Sequence, residues 1–308
     1  MSEAPIARPA SSTAESLTGD TPCRKCGYNL RGLSERGRCP ECGAAVAFST
    51  KGDWLRFSDP EWLETIARGA SYTFWLVPIL LLFAVAGGII VSALRLPPYW
   101  LDLPGLIGSI WMVYAAWLFT RADPSGLGEE RYGRTRRVIR WAVGISAADD
   151  LVQLLTNNMN IGPQLALAVG LIGIAAALAG IVGGLVQLSY IAKLADRAWH
   201  YDISERARFL IRATIAWMIV LFIGGVVVGF TMSAGRPPAG PVSRPPPTPP
   251  AAAVGVAAVL GLGLLVLGLL YWSLLRRTAR MLREQAALAR EHWHELPTAR
   301  PARVAGTA

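Results

Sequence analysis

The chain has 308 residues, 53% hydrophobic and 17% charged, with a mean hydropathy of +0.38. That balance is unlike a soluble domain and points to several membrane-spanning helices. The formal net charge of +9 is not the footprint of a nucleic-acid binder, because the Lys and Arg lie beside apolar segments, where they set topology and meet anionic head groups.

Residues 1–20 are rich in Ala, Ser, Thr and Pro. They lack the apolar core of a secretory signal and read as a disordered tail. Residues 21–50 carry all four cysteines of the chain, as Cys23-x-x-Cys26 and Cys39-Pro40-Glu41-Cys42. Two such knuckles supply four thiolates, which close a tetrahedron around Zn²⁺ and leave no open position for substrate or water. A site of that kind holds structure and does not catalyse. Gly27 and Gly43 follow the second cysteine of each pair, where a tight turn favours a positive φ. The twelve residues Gly27 to Arg38 are enough for a short β-hairpin with a knuckle at each end. Leu30 and Leu33 are the expected apolar plug, with the metal replacing the missing core. No cysteine is left for a disulfide, and thiols that must stay reduced fit a cytosolic compartment.

The segments CRKCGYNL and CPECG resemble zinc-ribbon and rubredoxin-like knuckles, and the twelve-residue gap is similar to that of the short module attached to rubrerythrins. The likeness covers about 25 residues. It implies metal binding by Cys23, Cys26, Cys39 and Cys42, with zinc as the expected ion and iron with electron transfer as the alternative, since both accept four tetrahedral thiolates. A ribbon of this type joined to a multi-pass region also resembles uncharacterised bacterial membrane proteins, a likeness that assigns no activity. Around the module, Arg24, Lys25, Arg31, Arg36 and Arg38 are partly offset by Asp20, Glu35 and Glu41. That is a weak nucleic-acid footprint, and a protein partner is the better expectation.

Residues 51–71 read as a separate juxtamembrane amphipathic helix. Ser58 is the expected cap, Pro60 lies in the first turn, and Trp62, Leu63, Ile66, Ala67 and Ala70 form one apolar face. Such a helix lies on the membrane surface or packs on the ribbon.

A bilayer core needs about 20 apolar residues per helix. Residues 72–94, 164–191, 209–232 and 251–274 qualify, and 103–120 is shorter but uncharged. Residues 138–155 contain Arg140, Asp149 and Asp150 and fail on hydropathy alone. Parity argues for them. With five spans the basic stretches 121–140 and 193–212 fall on opposite sides, against the positive-inside bias; with six, both lie inside with the thiols and the basic tail 275–308. The expected fold is therefore an all-α polytopic bundle of six transmembrane helices with a small N-terminal β-hairpin zinc ribbon. Both termini are expected in the cytoplasm, the bilayer being a bacterial inner membrane.

Asp149 and Asp150 are the candidate intramembrane polar site, because a charge at that depth costs a few kcal/mol unless it faces protein or water. Polar packing near the outer end is one reading, an ion or solute path the other. Ala176, Gly180 and Gly184, four apart, form a small-residue strip for packing within the bundle or in a homo-oligomer seam. Residues 236–250 read as an extended polyproline loop. Leu275, Ala279, Leu282, Ala286, Ala289 and Trp293 repeat as a short coiled-coil seam or a continuation of the last helix that ends by Pro297. His292 and His294 diverge on a helix and read as solvated. The sequence contains no phosphate-binding glycine loop, no His-Glu-x-x-His and no Gly-x-Ser-x-Gly, so the expectation is a scaffold or docking protein and not an enzyme.

Overall fold

The computed structural model describes residues 16–52, 54–95, 102–124, 129–157, 159, 161–234 and 251–295. Most of the 1–20 tail, the polyproline loop and Pro297 lie outside these residues, as do the side chains of His292, Trp293 and His294. After the cysteine module come a short helix α1 (Ala47–Thr50), a 3-10 turn (Leu55–Phe57) and six long helices: α2 (Pro60–Leu94), α3 (Asp102–Phe119), α4 (Glu129–Thr156), α5 (Pro163–Arg197), α6 (Tyr201–Ala234) and α7 (Ala251–Glu295).

Each long helix packs on its neighbours in sequence, and α2 closes the ring against α7. Successive helices run in opposite directions. Gly69 of α2 lies against the backbone of Phe119 while Gly108 lies against Leu80, Arg140 of α4 reaches Thr120 while Asp150 reaches Ser109, and Trp272 of α7 meets Phe74 while Arg283 meets Ser71. The starts of α2, α4 and α6 and the ends of α3, α5 and α7 thus share one end with the cysteine module, here called the proximal end. Close approach depends on glycine: a Cβ on Gly69 would stand 2.3 Å from Phe119 N, and one on Gly183 would stand 2.4 Å from Ala142 Cβ.

Four of the helices are long and apolar enough to cross a membrane: α2, α5, and the stretches Tyr201–Val226 of α6 and Ala258–Glu291 of α7. The chain is accordingly read as a membrane protein. Leu103–Phe119 is apolar but shorter. Between Val138 and Leu155, α4 includes Arg140, Asp149 and Asp150, too many charges for the same criterion, so four spans rather than six follow from length and composition.

The separate surface helix expected over 51–71 is absent. Residues from Pro60 onward are the first turns of α2, which runs on for 35 residues. Its cap is Asp59, one residue later than expected, whose carboxylate accepts from Trp62 N at 3.3 Å with Pro60 following. Continuity has a packing cause: Trp62, Leu63, Ile66, Ala67 and Ala70 are buried in the bundle's core and therefore do not lie on a membrane surface. The seam of α7, from Leu275 to Ala289, is buried in the same core, as one helix with the rest of α7.

Pro78 interrupts α2 without ending it. A proline lacks the N–H that would bond the carbonyl four residues back, which here is that of Phe74. The indole Nε1 of Trp272 donates to this carbonyl at 3.0 Å, and the Trp272 ring stacks on Phe74 with centroids 4.9 Å apart and planes 6° from parallel. α7 thus supplies the donor that α2 lacks.

Candidate metal centre

No β-strand forms among the described residues, so the expected hairpin is reduced to three isolated antiparallel bridges: Ser16 with Ser34, Pro22 with Asn29, and Arg38 with Ala45. Hydrogen bonding is spent on the knuckles instead, and the two are built alike. Gly27 N donates to Cys23 O and Gly43 N to Cys39 O, at 2.8 and 2.9 Å; Cys23 N donates to Tyr28 O and Cys39 N to Ala44 O, at 2.7 and 2.8 Å. Gly27 and Gly43 adopt φ of 78° and 70°, the left-handed turn that glycine takes without steric cost.

The four sulfurs converge within 4.8 Å of one another. Cys23 Sγ lies 3.6 Å from Cys42 Sγ, and Cys26 Sγ lies 3.6 Å from Cys39 Sγ. A tetrahedron with metal–sulfur bonds of about 2.3 Å requires edges of about 3.8 Å, so the donors fit a tetrathiolate ion with little adjustment. Cys23 and Cys39 are buried, Cys42 is half-buried and Cys26 is exposed. Beside them Leu30 and Val46 are buried in the module's apolar cluster, with Leu17, Leu33 and Ala44 packed at the edge. A bound ion would add to so small a core the cross-link that few apolar side chains cannot supply.

Burial pushes the Cys23 thiol up, against the opposing pull of the Cys26 and Lys25 amides. Burial also dominates at Cys42, which is pushed up to about 12; the Ala44 amide opposes this and the Cys26 and Cys23 thiols add to it. At Cys39 burial is outweighed by the Cys42 and Glu41 amides and by the Cys26 and Cys23 thiols, and the group falls below its ordinary value. Because a metal would bind these groups as thiolates, its uptake would release protons and its affinity would fall as pH falls.

The module is docked on the proximal end of the bundle. Arg24, between the first two ligands, is 1% exposed; its amide donates to Ser49 Oγ at 3.2 Å and its guanidinium to Trp54 O at 3.0 Å. Trp54 meets Trp199 with centroids 4.2 Å apart. The 3-10 turn packs on α7, its Leu55 sharing the bundle's core and its Phe57 meeting Phe48 of α1 at 6.5 Å. The sequence marks Arg24 as one of the module's bases and Trp54 as an aromatic next to the membrane, but not the contacts that join Arg24 to Trp54 and Trp54 to Trp199. The available signal was an arginine placed where a knuckle is normally solvated.

Asp149 and Asp150 are both half-buried. Ser109 Oγ donates to Asp150, while Asp149 Oδ1 is buried without a hydrogen-bond partner among the described residues and faces Gly173. Ser109 also lines a cavity of about 310 Å³ among α2, α3, α4 and α5, together with Leu80, Ser146, Gly180, Gly184 and Gln187. Arg140 is not part of this group. It caps the end of α3, with Nε to Thr120 Oγ1 at 2.8 Å and Nη2 to Thr120 O at 2.7 Å, and lies 4.2 Å from the centre of the Trp117 ring. The small-residue strip is used within the bundle, since Ala176 is buried, Gly180 faces Ser146 of α4 and Gly184 lines the cavity. No protein-family model matches the chain, and no curated protein and no solved structure matches it significantly.

Proposed function

We propose that this chain is a non-enzymatic membrane protein of six spans. Its cysteine module holds zinc and serves as a structural and protein-docking head on the cytosolic side of a bacterial inner membrane. The observation that carries the reading is the convergence of four thiols into a closed donor set, packed onto the end of the bundle where the arginines gather. Zinc is preferred to iron because a site with every position filled by thiolate suits an ion that holds structure without redox chemistry.

The alternating helix directions support six spans. They bring α3 and α4 into the same ring as the four apolar helices, with Ile107, Ile110, Ile145 and Leu155 exposed on their outer faces and Asp150 turned to Ser109. Positive residues support the orientation: Arg121, Arg136, Lys193, Arg197, Arg208 and Arg277 all belong to the proximal end, and among the described residues of the opposite end only Arg95 is basic. Metal analysis of the purified chain is expected to give about one zinc per molecule, lost when the four cysteines become serine. Red, iron-loaded protein would instead favour electron transfer. A topology reporter after Met159 is expected outside the cell, and a cytoplasmic signal would remove the six-span layout.

A second reading, a small-solute or ion transporter, rests on the unpartnered Asp149 oxygen and on the cavity that reaches Ser109. Flux in proteoliposomes that persists when Asp149 and Asp150 are both replaced by Asn would count against it.

A further inference from the structure

We infer that the metal site is a latch: the bound ion holds the cysteine module against the helix bundle, and its loss frees the proximal corner between α5 and α6. The inference rests on the metal-binding reading above and adds a mechanical link from the sulfurs to the helices. Its first member is Arg24. The residue follows Cys23 directly and stands two before Cys26, so the knuckle that binds the ion also fixes the Arg24 backbone. Its side chain runs away from the sulfurs into the interface, where it is 1% exposed and donates to Trp54 O at 3.0 Å.

A guanidinium hidden from water is stable there only while its acceptors are held in place. Its acceptor Trp54 O belongs to the strap between module and bundle. Trp54, whose carbonyl is engaged, places its ring against Trp199, with Arg56 6.0 Å from its ring centre on the same strap.

Trp199 is the strained member. It has φ of 60° in the turn that ends α5, with His200 N donating to Ala195 O at 3.0 Å. Glycine normally takes this left-handed position, and a bulky side chain there is a genuine outlier. The turn persists because contacts around it hold it, and the Trp54 ring is the aromatic contact made from outside α5 and α6. A second link runs beside it: a Cβ on Gly27, the turn residue of the first knuckle, would touch Pro124 O of the α3–α4 connection at 3.4 Å. With Leu30, Val46 and two cysteines as the module's buried apolar cluster, removal of the ion unfolds the knuckle. Arg24 then returns to water and Trp54 leaves Trp199.

The test is hydrogen exchange with mass readout on the full chain in nanodiscs, with zinc and after chelation, the metal content of each sample being measured alongside. Chelation is expected to raise exchange about tenfold or more at residues 54–58 and 198–204 as well as within 16–52. Arg24→Gln and Trp199→Gly are expected to keep the metal, yet to show raised exchange at 54–58 with zinc bound and little further change on chelation. Protection at 54–58 and 198–204 that survives chelation, or metal-loaded Arg24→Gln indistinguishable from the parent, would overturn the latch. Absence of zinc from the purified parent would overturn the metal reading itself.

Discussion

From Pro60 to Ala70, α2 turns Trp62, Leu63 and Ile66 inward and Glu61 and Arg68 outward, whereas from Trp75 to Leu94 the same helix exposes Trp75, Leu81, Leu82 and Phe83. α7 shows the same change in reverse order, with Leu264, Leu265 and Leu269 exposed and Leu275, Leu282 and Ala289 buried. Proximal segments follow the rule of a water-soluble bundle, in which burying apolar area stabilises the fold by about 25 cal/mol per Å². Distal segments gain nothing from that source if lipid surrounds them, and close approach and hydrogen bonds must hold them. Gly108 against Leu80 and Ser109 with Asp150 are such contacts. One set of helices therefore uses two kinds of adhesion, and Trp75, Trp117 and Trp141, exposed near the change-over, match the aromatic girdle of a membrane interface.

Mutations can test this division. Gly69→Val should have the largest effect, because its Cβ would collide with backbone atoms that a rotamer change cannot move; a loss of more than about 4 kcal/mol, or no folded protein, is expected in detergent melts. Leu282→Ala, in the proximal core, should cost about 2–5 kcal/mol. Phe222→Ala, at a side chain 74% exposed, should change the same melt by about 0.5 kcal/mol or less. Equal losses at Leu282 and Phe222 would erase the distinction. Trp272→Phe keeps the stacking ring but removes the donor from the Phe74 carbonyl, and about 1–3 kcal/mol is expected.

A modest, pH-dependent effect concerns Asp59. Burial is the first cause that raises its pKa, with the Glu61 charge adding to it and the Trp62 and Glu61 amides opposing. A carboxyl raised by folding contributes stability that is complete below its unfolded pKa and lost as pH rises through the folded value. Asp59→Ala should therefore lose about 1 kcal/mol of cap energy. Asp59→Asn, which keeps an acceptor without the charge, should equal or exceed the parent at pH above neutrality and fall behind it in acid. Melts of the three proteins at two pH values check the sign.

Local chemistry was legible in the sequence. The cysteine spacing and its glycines announced the sulfur cluster, and three- and four-residue spacings picked out the buried face of α2 and the seam of α7. Composition found the four long apolar helices. What was not legible depends on partners distant in the chain. Nothing near Ser58 says that the helix starting at Pro60 will run on through Leu94, because the partners that bury its first turns come from α3 and α7. The hairpin expected between the knuckles gave way to isolated bridges, since so short a module spends its amides on the turns around the sulfurs. Arg24 looked like a solvated base until the strap and the α5–α6 corner were in place around it.

Closure of the ring by α2 and α7 bears on how the protein is made. A ribosome delivers α2 first and α7 last, and the carbonyl deprived by Pro78 waits for an indole 198 residues further along. During that interval the first long helix carries an acceptor that α7 does not yet meet, next to Trp75 at the change-over, where water and lipid head groups can serve it. Synthesis must therefore leave α2 beside water, lipid head groups or an insertion factor until the final helix arrives, and truncation anywhere before Trp272 leaves the chain with its earliest helix unfinished.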